Sequence, residues 1–254
     1  MNLSGPFSRL PVVSFILIAV NVLLFLFELT QGVSALKPAT VDMIGWGANV
    51  AALTLTGDAW RLFTSMFLHI GLIHIAFNMY MLYVFGPLVE DRFGSTRFAL
   101  IYLWSGLFGS LVSAAWHASQ GQVVVAAGAS GALMGISGAY VGHWLVAKAR
   151  NARHEELNMK PLAQTIGLNI VLGFINPGVD NACHVGGLIS GVVLGFAFAL
   201  GTFEHSKLKS AAAGALISLA SLGLIHSVLQ RPVEPDMAFE GAAIRHMQAV
   251  RAPR

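Results

Sequence analysis

A single hydroxyl stands between small residues in the stretch AAGASGALMG, which runs from Ala126 to Gly135. Serine beside glycine is frequent in membrane helices, because small side chains let neighbouring backbones approach closely. The same arrangement suits a nucleophile, which needs open space around its oxygen. The stretch alone does not decide between packing and catalysis for Ser130, so the other polar residues of the chain must be considered with it.

Histidine and asparagine side chains lie at the start of two other apolar segments. His74 and Asn78 are four residues apart and therefore face the same side of one helix. His184 begins a later segment, and histidine is the usual base for a serine nucleophile because its pKa lies near neutral. Attack on an amide also creates an oxyanion, which needs hydrogen-bond donors fixed in advance. We therefore predict Ser130 as nucleophile, His184 as base, and His74, Asn78 and the backbone around Gly128 and Ser130 as the oxyanion site.

The composition shows which solvent surrounds the chain. Of the 254 residues, 56% are hydrophobic and only 11% are charged, whereas soluble domains carry roughly 25% charged residues. So few charges cannot cover a globular surface, and we predict an integral membrane protein. Apolar segments of about 20 residues favour helical spans over a barrel, whose strands have about ten. The predicted fold class is all-α, a polytopic transmembrane helical bundle.

Seven apolar segments are long enough to cross a bilayer. They are residues 12–30, 69–88, 97–117, 130–148, 162–177, 184–203 and 210–229. We expect a short N-terminal segment at 1–11, a six-helix core at 12–203, a seventh span at 210–229 and a polar tail at 230–254. The first apolar run is too long for the core of a signal peptide and lacks a small-residue cleavage site, so we expect it to remain as a span.

The basic residues predict the orientation in the membrane. With a cytoplasmic N-terminus, nine of the 15 Lys and Arg residues lie in inside segments and only two in outside loops between spans, as the usual excess of cytoplasmic cations requires. Ser130, His184, His74 and Asn78 then share one depth near the outer surface. The net charge of +3 is small and its cations are scattered, which speaks against a nucleic-acid partner.

Glycines predict close contact between the two spans that carry Ser130 and His184. The fourth span contains Gly131 and Gly135, and the sixth contains Gly187 and Gly191. These small-xxx-small spacings permit tight helix packing, although such glycines are frequent in any helical bundle. Joined to a serine and a histidine at matching helix ends, they indicate one coherent site.

Three stretches carry a resemblance to a known family: WRLFTSMFLHIGLIHIAFN (60–78), GASG (128–131) and VDNACHVGGLISG (179–191). On these stretches the sequence resembles the rhomboid intramembrane serine proteases over roughly residues 10–203. The resemblance implies a Ser130–His184 dyad without an acidic third member, with His74 and Asn78 as oxyanion-hole residues. It also implies that Trp60 and Arg61 lie in a loop partly within the outer leaflet. Residues 210–229 resemble the additional C-terminal span of some members.

One position departs from the family pattern. Many rhomboid proteases carry an aromatic residue one turn after the serine, packed on the histidine ring, whereas this chain has Met134. Because sulfur contacts aromatic rings favourably, we expect activity to be retained. Asp180 precedes His184, and we expect it to shape the entry to the sixth span rather than complete a triad.

Three other functions make different demands on the sequence. His69, His74 and His184 offer three nitrogens, but no HExxH motif occurs, so we expect neither a metal nor another cofactor. A transporter would place its polar groups near the midplane rather than at one end. A rhomboid-like protein that binds helices without cutting them would normally have lost the serine or the histidine. We therefore predict a protease of the bacterial plasma membrane that cuts the spans of other membrane proteins near the extracytoplasmic side. The sequence leaves its oligomeric state open.

Remaining polar residues are assigned structural roles. We expect a hydrogen bond between His69 and the neighbouring loop, on a different face from His74. Glu28 and Glu90 lie at span ends, where solvation at the membrane interface is expected.

Overall fold

A computed structural model describes residues 10–152, 159–176, 178–203 and 207–251 of the chain. Its named elements are all α-helices, so the predicted fold class is confirmed. In chain order they are α1 (Val12–Thr30), α2 (Thr40–Trp46), α3 (Ala51–Thr54), α4 (Arg61–Thr64), α5 (Leu72–Phe93), α6 (Ser95–Ser119), α7 (Ser130–Ala149), α8 (Met159–Ile175), α9 (Asn181–Phe203), α10 (Lys207–Leu229) and α11 (Pro235–Arg251).

Five of the described helices are long and apolar enough to cross a membrane, so the chain is a multi-pass membrane protein. These are α1, α5, α6, the Asn181–Gly201 part of α9 and the Ala211–Leu229 part of α10. Helix α7 has 20 residues but is rich in glycine and also contains serine and histidine. Helix α8 is apolar but only 17 residues long. The count of seven spans therefore stays a prediction.

The second predicted span begins later and ends later than the sequence indicates. It starts at Leu72 rather than at residue 69, because Gly71 has a φ of +89° that interrupts the helical backbone. The helix then continues through Pro87 to Phe93 and ends at Gly94, whose φ of +80° separates it from α6. As a result His69 lies in the turn before α5 and not on its surface.

Two carboxylates expected in the membrane interface are instead buried, Glu90 at 2% and Glu28 at 0% exposed. The Glu90 carboxylate accepts hydrogen bonds from the backbone N–H groups of Val13 (2.9 Å) and Ser14 (2.8 Å), and from the Ser14 and Ser95 hydroxyls (2.8 and 2.7 Å). The first N–H groups of a helix have no partner within it, so Glu90 caps α1 from the far end of α5. The sequence gives no sign of this long-range pairing.

Two regions predicted as polar connections contain helices. The loop at residues 31–68 folds into α2, α3 and α4, and the predicted polar tail contains α11. Pro235 occupies the first position of α11, where a proline costs no hydrogen bond. Side chains of α11 pack against the buried residues of α3, so tertiary contacts stabilise a helix in the segment predicted as a polar tail.

Helix α7 runs through the centre of the bundle, packed against α6 and α9. Most of its side chains are buried, including Leu133, Met134 and Ile136. The principal apolar cluster surrounds it and contains Phe98, Ile101, Tyr102, Leu194 and Phe198. A helix in this position is covered by protein on most sides, so small and polar residues are tolerated along its length.

Helices α7 and α9 touch through their backbones. A Cβ added to Gly187 would collide with the carbonyl oxygen of Gly131, and one added to Gly191 would collide with that of Gly135. Further along, the same close approach occurs at Gly138, Gly142 and Gly195. The predicted glycine contact between these two helices is present in the structure.

We expect Gly191→Leu to force α7 and α9 apart and to lower the free energy of unfolding by about 1–3 kcal/mol, the usual range for overpacking. Leucine favours a helix more than glycine does, so any loss must come from the helix contact. The matched control is Val193→Leu, at a position of the same helix that is 51% exposed. Thermal unfolding in detergent micelles compares the two variants, and an unchanged midpoint for Gly191→Leu would contradict the backbone contact.

Candidate active site

The side chains of Ser130 and His184 meet where α7 and α9 begin. The Nε2 atom of His184 lies 2.9 Å from the Oγ atom of Ser130, which is hydrogen-bond distance. His184 is 3% exposed and Ser130 is half-buried. The two residues are 54 positions apart in the chain, and they meet because the glycine contact holds their helices together.

A tight turn places Ser130 at the first position of α7. Gly128 has a φ of +132°, a conformation that residues with a Cβ rarely adopt. Its N–H donates to the carbonyl oxygen of Ser65 at 2.8 Å, and the buried Ala129 follows as N-cap. The unpaired N–H groups and the positive end of the α7 dipole therefore lie beside the serine hydroxyl.

Asp180 fixes the start of α9 and so the backbone of His184. Its Oδ1 atom accepts the N–H of Cys183 at 3.0 Å, as an N-cap residue does, and its carbonyl oxygen accepts the N–H of His184 at 3.1 Å. The same carboxylate accepts a hydrogen bond from the Ser113 hydroxyl and lies 3.4 Å from Nε2 of His117, both on α6. The expectation that Asp180 shapes the entry to this span agrees with these contacts.

The environment of Asp180 favours its ionised form. Burial by itself raises the pKa of this carboxyl, but the nearby His117 ring and the hydrogen bonds from the Ser113 hydroxyl and the Cys183 N–H outweigh burial and hold the pKa below its ordinary value. Its carboxylate makes no hydrogen bond with the imidazole of His184, whose Nε2 faces Ser130. Among the described residues, Nδ1 of His184 has no hydrogen-bond partner, so the pair of Ser130 and His184 stands without an acidic third member there.

Two further donors converge beside the serine. The N–H of Ile70 donates to Nδ1 of His74 at 3.2 Å, which leaves the proton of a neutral ring on Nε2. A Cβ added to Gly128 would lie 2.8 Å from this Nε2 and 3.5 Å from Nδ2 of Asn78. No other described residue accepts from Nδ2 of the buried Asn78. Both donors therefore lie beside Gly128, two residues before Ser130.

His69 lies next to His74, although the sequence placed the two rings on different faces of one helix. The ring centroids are 5.2 Å apart in an edge-on arrangement, because His69 belongs to the turn before α5. The predicted hydrogen bond to the loop is present, since Nδ1 of His69 lies 3.3 Å from the carbonyl oxygen of Phe67. Burial, and secondly the His74 ring, lower the pKa of His69 to about 3. It is therefore uncharged at neutral pH, and its ring adds no positive charge beside His74.

Trp60 and Arg61 organise the loop before α5 rather than touching Ser130. Arg61 is 3% exposed, and its Nη1 atom donates to the carbonyl oxygens of Ile44 (2.7 Å) and Ala48 (3.1 Å). The guanidinium carbon lies 4.5 Å from the centroid of the Trp60 ring, which is half-exposed. Met134, one turn after Ser130, is buried, and its predicted contact with the His184 ring stays a prediction.

Sequence reasoning missed the ties between Asp180 and α6. An aspartate directly before a helix is a common N-cap signal, which would have suggested the contact with Cys183. Nothing in the sequence indicates that Ser113 and His117 meet the same carboxylate. Among the described residues, no three His, Cys, Asp or Glu side chains are grouped so that they could hold a metal ion.

Sequence comparison relates the chain to known proteins. The family described as Rhomboid domain matches residues 56–201. Rhomboid protease GluP of Bacillus subtilis (strain 168) is 34% identical over 238 residues, which cover 90% of this chain but 43% of that protein. Rhomboid protease AarA of Providencia stuartii is 33% identical over 202 residues, which cover 72% of this chain and 71% of that protein. A putative rhomboid protease of B. subtilis, YdcA, is 32% identical over 186 residues, covering 73% and 87%. The chain thus spans less than half the length of GluP.

We expect Asp180→Asn to lower the free energy of unfolding by about 1–3 kcal/mol, because it weakens charge-assisted hydrogen bonds to a carboxylate that is only 14% exposed. The control is Glu240→Gln, which neutralises an exposed carboxylate on α11. Thermal unfolding in detergent at neutral pH measures both variants. Equal unfolding midpoints would show that Asp180 does not hold the start of α9.

Proposed function

The chain belongs to the rhomboid family, and on this basis we propose that it is an intramembrane serine endopeptidase that uses Ser130 and His184. The observation that carries the proposal is the 2.9 Å separation of Ser130 Oγ and His184 Nε2. A serine hydroxyl is a weak nucleophile until an adjacent base accepts its proton, and a histidine at this distance is such a base. The rhomboid proteases among the relatives support the same activity.

The proposed reaction has two stages. His184 accepts the hydroxyl proton while Ser130 Oγ attacks the carbonyl carbon of the scissile amide. The protonated imidazole then gives that proton to the leaving nitrogen, and the amide bond breaks to leave an ester on Ser130. A water molecule, deprotonated by His184, then attacks the ester carbon. The ester bond breaks to release the new carboxyl end, and His184 returns the proton to Ser130 Oγ.

The negative charge on the attacked oxygen needs donors in place before the reaction. We assign this role to Nε2 of His74, Nδ2 of Asn78 and the backbone N–H groups at the start of α7. Gly128 completes the site by leaving open the space beside both side chains, since a Cβ there would lie 2.8 Å from Nε2 of His74.

We propose that the substrate is a transmembrane helix of a single-span or multi-span protein, held in the lipid bilayer. An amide inside a helix is shielded and keeps its N–H and C=O in the helical ladder, so several residues must unwind before Ser130 can attack. Unwinding is less costly near the membrane surface, where water from the active-site opening satisfies the freed groups. We therefore place the cut near the extracytoplasmic side of a bacterial plasma membrane, with the N-terminus cytoplasmic. A small residue before the scissile bond fits best beside Gly128 and Gly131.

Each rival function makes a different demand on the chain. A metalloprotease would lose cleavage on treatment with a strong chelator and regain it with zinc, whereas we expect chelation to leave the rate unchanged. A transporter would gather polar groups near the bilayer midplane, whereas those of this site lie where α5, α7 and α9 begin. A protein that only binds helices has no need of a serine and a histidine at hydrogen-bond distance.

Ser130→Ala and His184→Ala should each abolish cleavage of a purified single-span substrate in detergent or proteoliposomes. The double variant should be no worse than either single variant, because members of one catalytic unit are not additive. The matched control is Ser137→Ala, two turns along α7, where the buried hydroxyl only donates to the carbonyl oxygen of Leu133. It should cleave at the wild-type rate.

Two results of this assay would overturn the proposal. Cleavage by a clean Ser130→Ala preparation, above the level of an uncut control, would exclude Ser130 as nucleophile. Mass spectrometry of the products locates the cut, and a bond in the cytoplasmic half of the substrate span would exclude the proposed orientation.

Asn78→Ala and His74→Ala should lower kcat while leaving KM nearly unchanged, since the oxyanion forms only in the transition state. Loss of one donor typically reduces the rate by about 10²–10³-fold. The control is Asn169→Ala on α8, whose side chain donates locally to the carbonyl oxygen of Thr165. A wild-type kcat in both single variants and in the double variant would remove these residues from the oxyanion site.

A further inference from the structure

Helix α11 is docked on the loop that precedes α5. Met237 and Ile244 of α11 pack against the buried cluster of Val50, Ala52 and Leu53. Between them on the same helix face, Gly241 is buried, and a Cβ there would collide with the carbonyl oxygen of Ala52. The backbones of α11 and α3 are therefore in close contact, as those of α7 and α9 are. Exposed apolar side chains, among them Phe239 and Val250, lie on the opposite face of α11.

Arg245 ties α11 to the end of α3. Its Nη2 atom donates to the hydroxyl and the carbonyl oxygen of Thr56 (2.7 and 3.0 Å) and to the carbonyl oxygen of Leu53 (3.5 Å). The last carbonyl groups of a helix lack partners within it, and a guanidinium satisfies them well. Its Nε atom also lies 3.4 Å from Oδ1 of Asp58.

Asp58 contacts both Arg245 and Arg61, the arginine that organises the loop before α5. Its other oxygen lies 3.2 Å from Nε of Arg61, whose Nη1 donates to the loop carbonyls of Ile44 and Ala48. One carboxylate thus bridges Arg245 of α11 and the buried Arg61. Removal of α11 would take this donor from the carbonyl oxygens of Leu53 and Thr56 and leave Asp58 with one arginine instead of two.

The loop segment directly before α3 also contacts the residues that precede Ser130 in the chain. Asn49, directly before Val50, exchanges two backbone hydrogen bonds with Ala126 (2.8 and 2.9 Å), four residues before the serine. The side chain of Asn49 donates to the carbonyl oxygen of Ser110 at 2.7 Å, and accepts from the Thr54 hydroxyl of α3 at 2.7 Å. A continuous set of contacts therefore runs from α11 through α3 to the nucleophile.

We propose that α11 positions the Ser130 loop of the enzyme, with Arg245 as a positioning residue that acts through α3 and the Asn49–Ala126 pair. The proposal rests on the proposed protease function. Arg245 does not touch the reacting atoms. Its role is to raise the fraction of molecules in which the turn at Gly128 places Ser130 correctly for attack. The observed kcat is proportional to that fraction. Docking of α11 on α3 also requires the C-terminal helix to lie on the same side of the bundle as Ser130.

The decisive variants are Gly241→Leu, which blocks docking by bulk, and Arg245→Met, which removes the donors but keeps a good helix former. The matched control is Ala242→Leu, one residue along α11 on an exposed position. We expect both docking variants to lower kcat by about tenfold with little change in KM, since even small misplacement of a reacting group can reduce the rate by up to about 10²-fold. The control should match the wild type.

Hydrogen–deuterium exchange of the full-length protein gives a readout that does not depend on cleavage. Because the Asn49 and Ala126 N–H groups are bonded to each other's carbonyls, exchange in peptides covering 48–58 and 122–130 should accelerate in Gly241→Leu and Arg245→Met but not in Ala242→Leu. Wild-type exchange in both peptides, or wild-type kcat despite faster exchange, would overturn the proposal. If the wild-type protein itself cleaves no substrate, the protease function fails, while exchange still decides whether α11 orders the loop.

Discussion

Backbone contact between α7 and α9 is the constraint on which the candidate site depends. Hydrophobic burial gives helices little reason to associate within lipid, so close packing must supply the attraction. Glycines at facing positions let the two backbones touch, and side chains at these positions would collide with carbonyl oxygens. This contact sets the distance between the first turns of the two helices, where Ser130 and His184 lie. The geometry of the Ser130–His184 pair and the stability of the bundle thus depend on the same interaction.

The glycines carry a cost that the surrounding bundle offsets. Each glycine in a helix interior is less favourable than alanine by about 1 kcal/mol. Helix α7 is buried between α6 and α9 and packs on large side chains such as Tyr102 and Phe198. Packing on several sides therefore stabilises a helix whose own composition is a poor helix former. The outer helices, with mostly exposed apolar surface, are instead stabilised by the lipid that they face.

Buried polar side chains hold the helix ends and loops that the glycine contact does not reach. Glu90 caps α1, and Asp180 caps α9 and joins it to α6. Arg61 donates hydrogen bonds to carbonyl groups of the loop before α5. Each of these groups makes several hydrogen bonds, which is the condition under which a buried charge is tolerated. Most of them lie at the end of the bundle where Ser130 sits, and there they fix backbone that has no regular helical partner.

The sequence determined the solvent, the helical class, most helix positions and the identity of the chemically capable residues. Hydrophobic runs are local, so the first apolar segment and α1 share the bounds 12–30, and the glycine spacing indicated which helices touch. The start of α5 was predicted three residues early, since Gly71 breaks the helix through its φ angle and not through its hydrophobicity. The catalytic roles of Ser130, His184, His74 and Asn78 stay predictions, and the structure adds their distances.

Only the tertiary structure decided which distant polar groups meet. Burial of Glu28 and Glu90, the ties from Asp180 to α6 and the helix in the C-terminal segment all depend on contacts between residues far apart in the chain. A charged residue at the end of an apolar run has the same local sequence whether it faces solvent or caps another helix. Its environment is set by what the rest of the chain places beside it, and that information lies in the packing of the whole bundle.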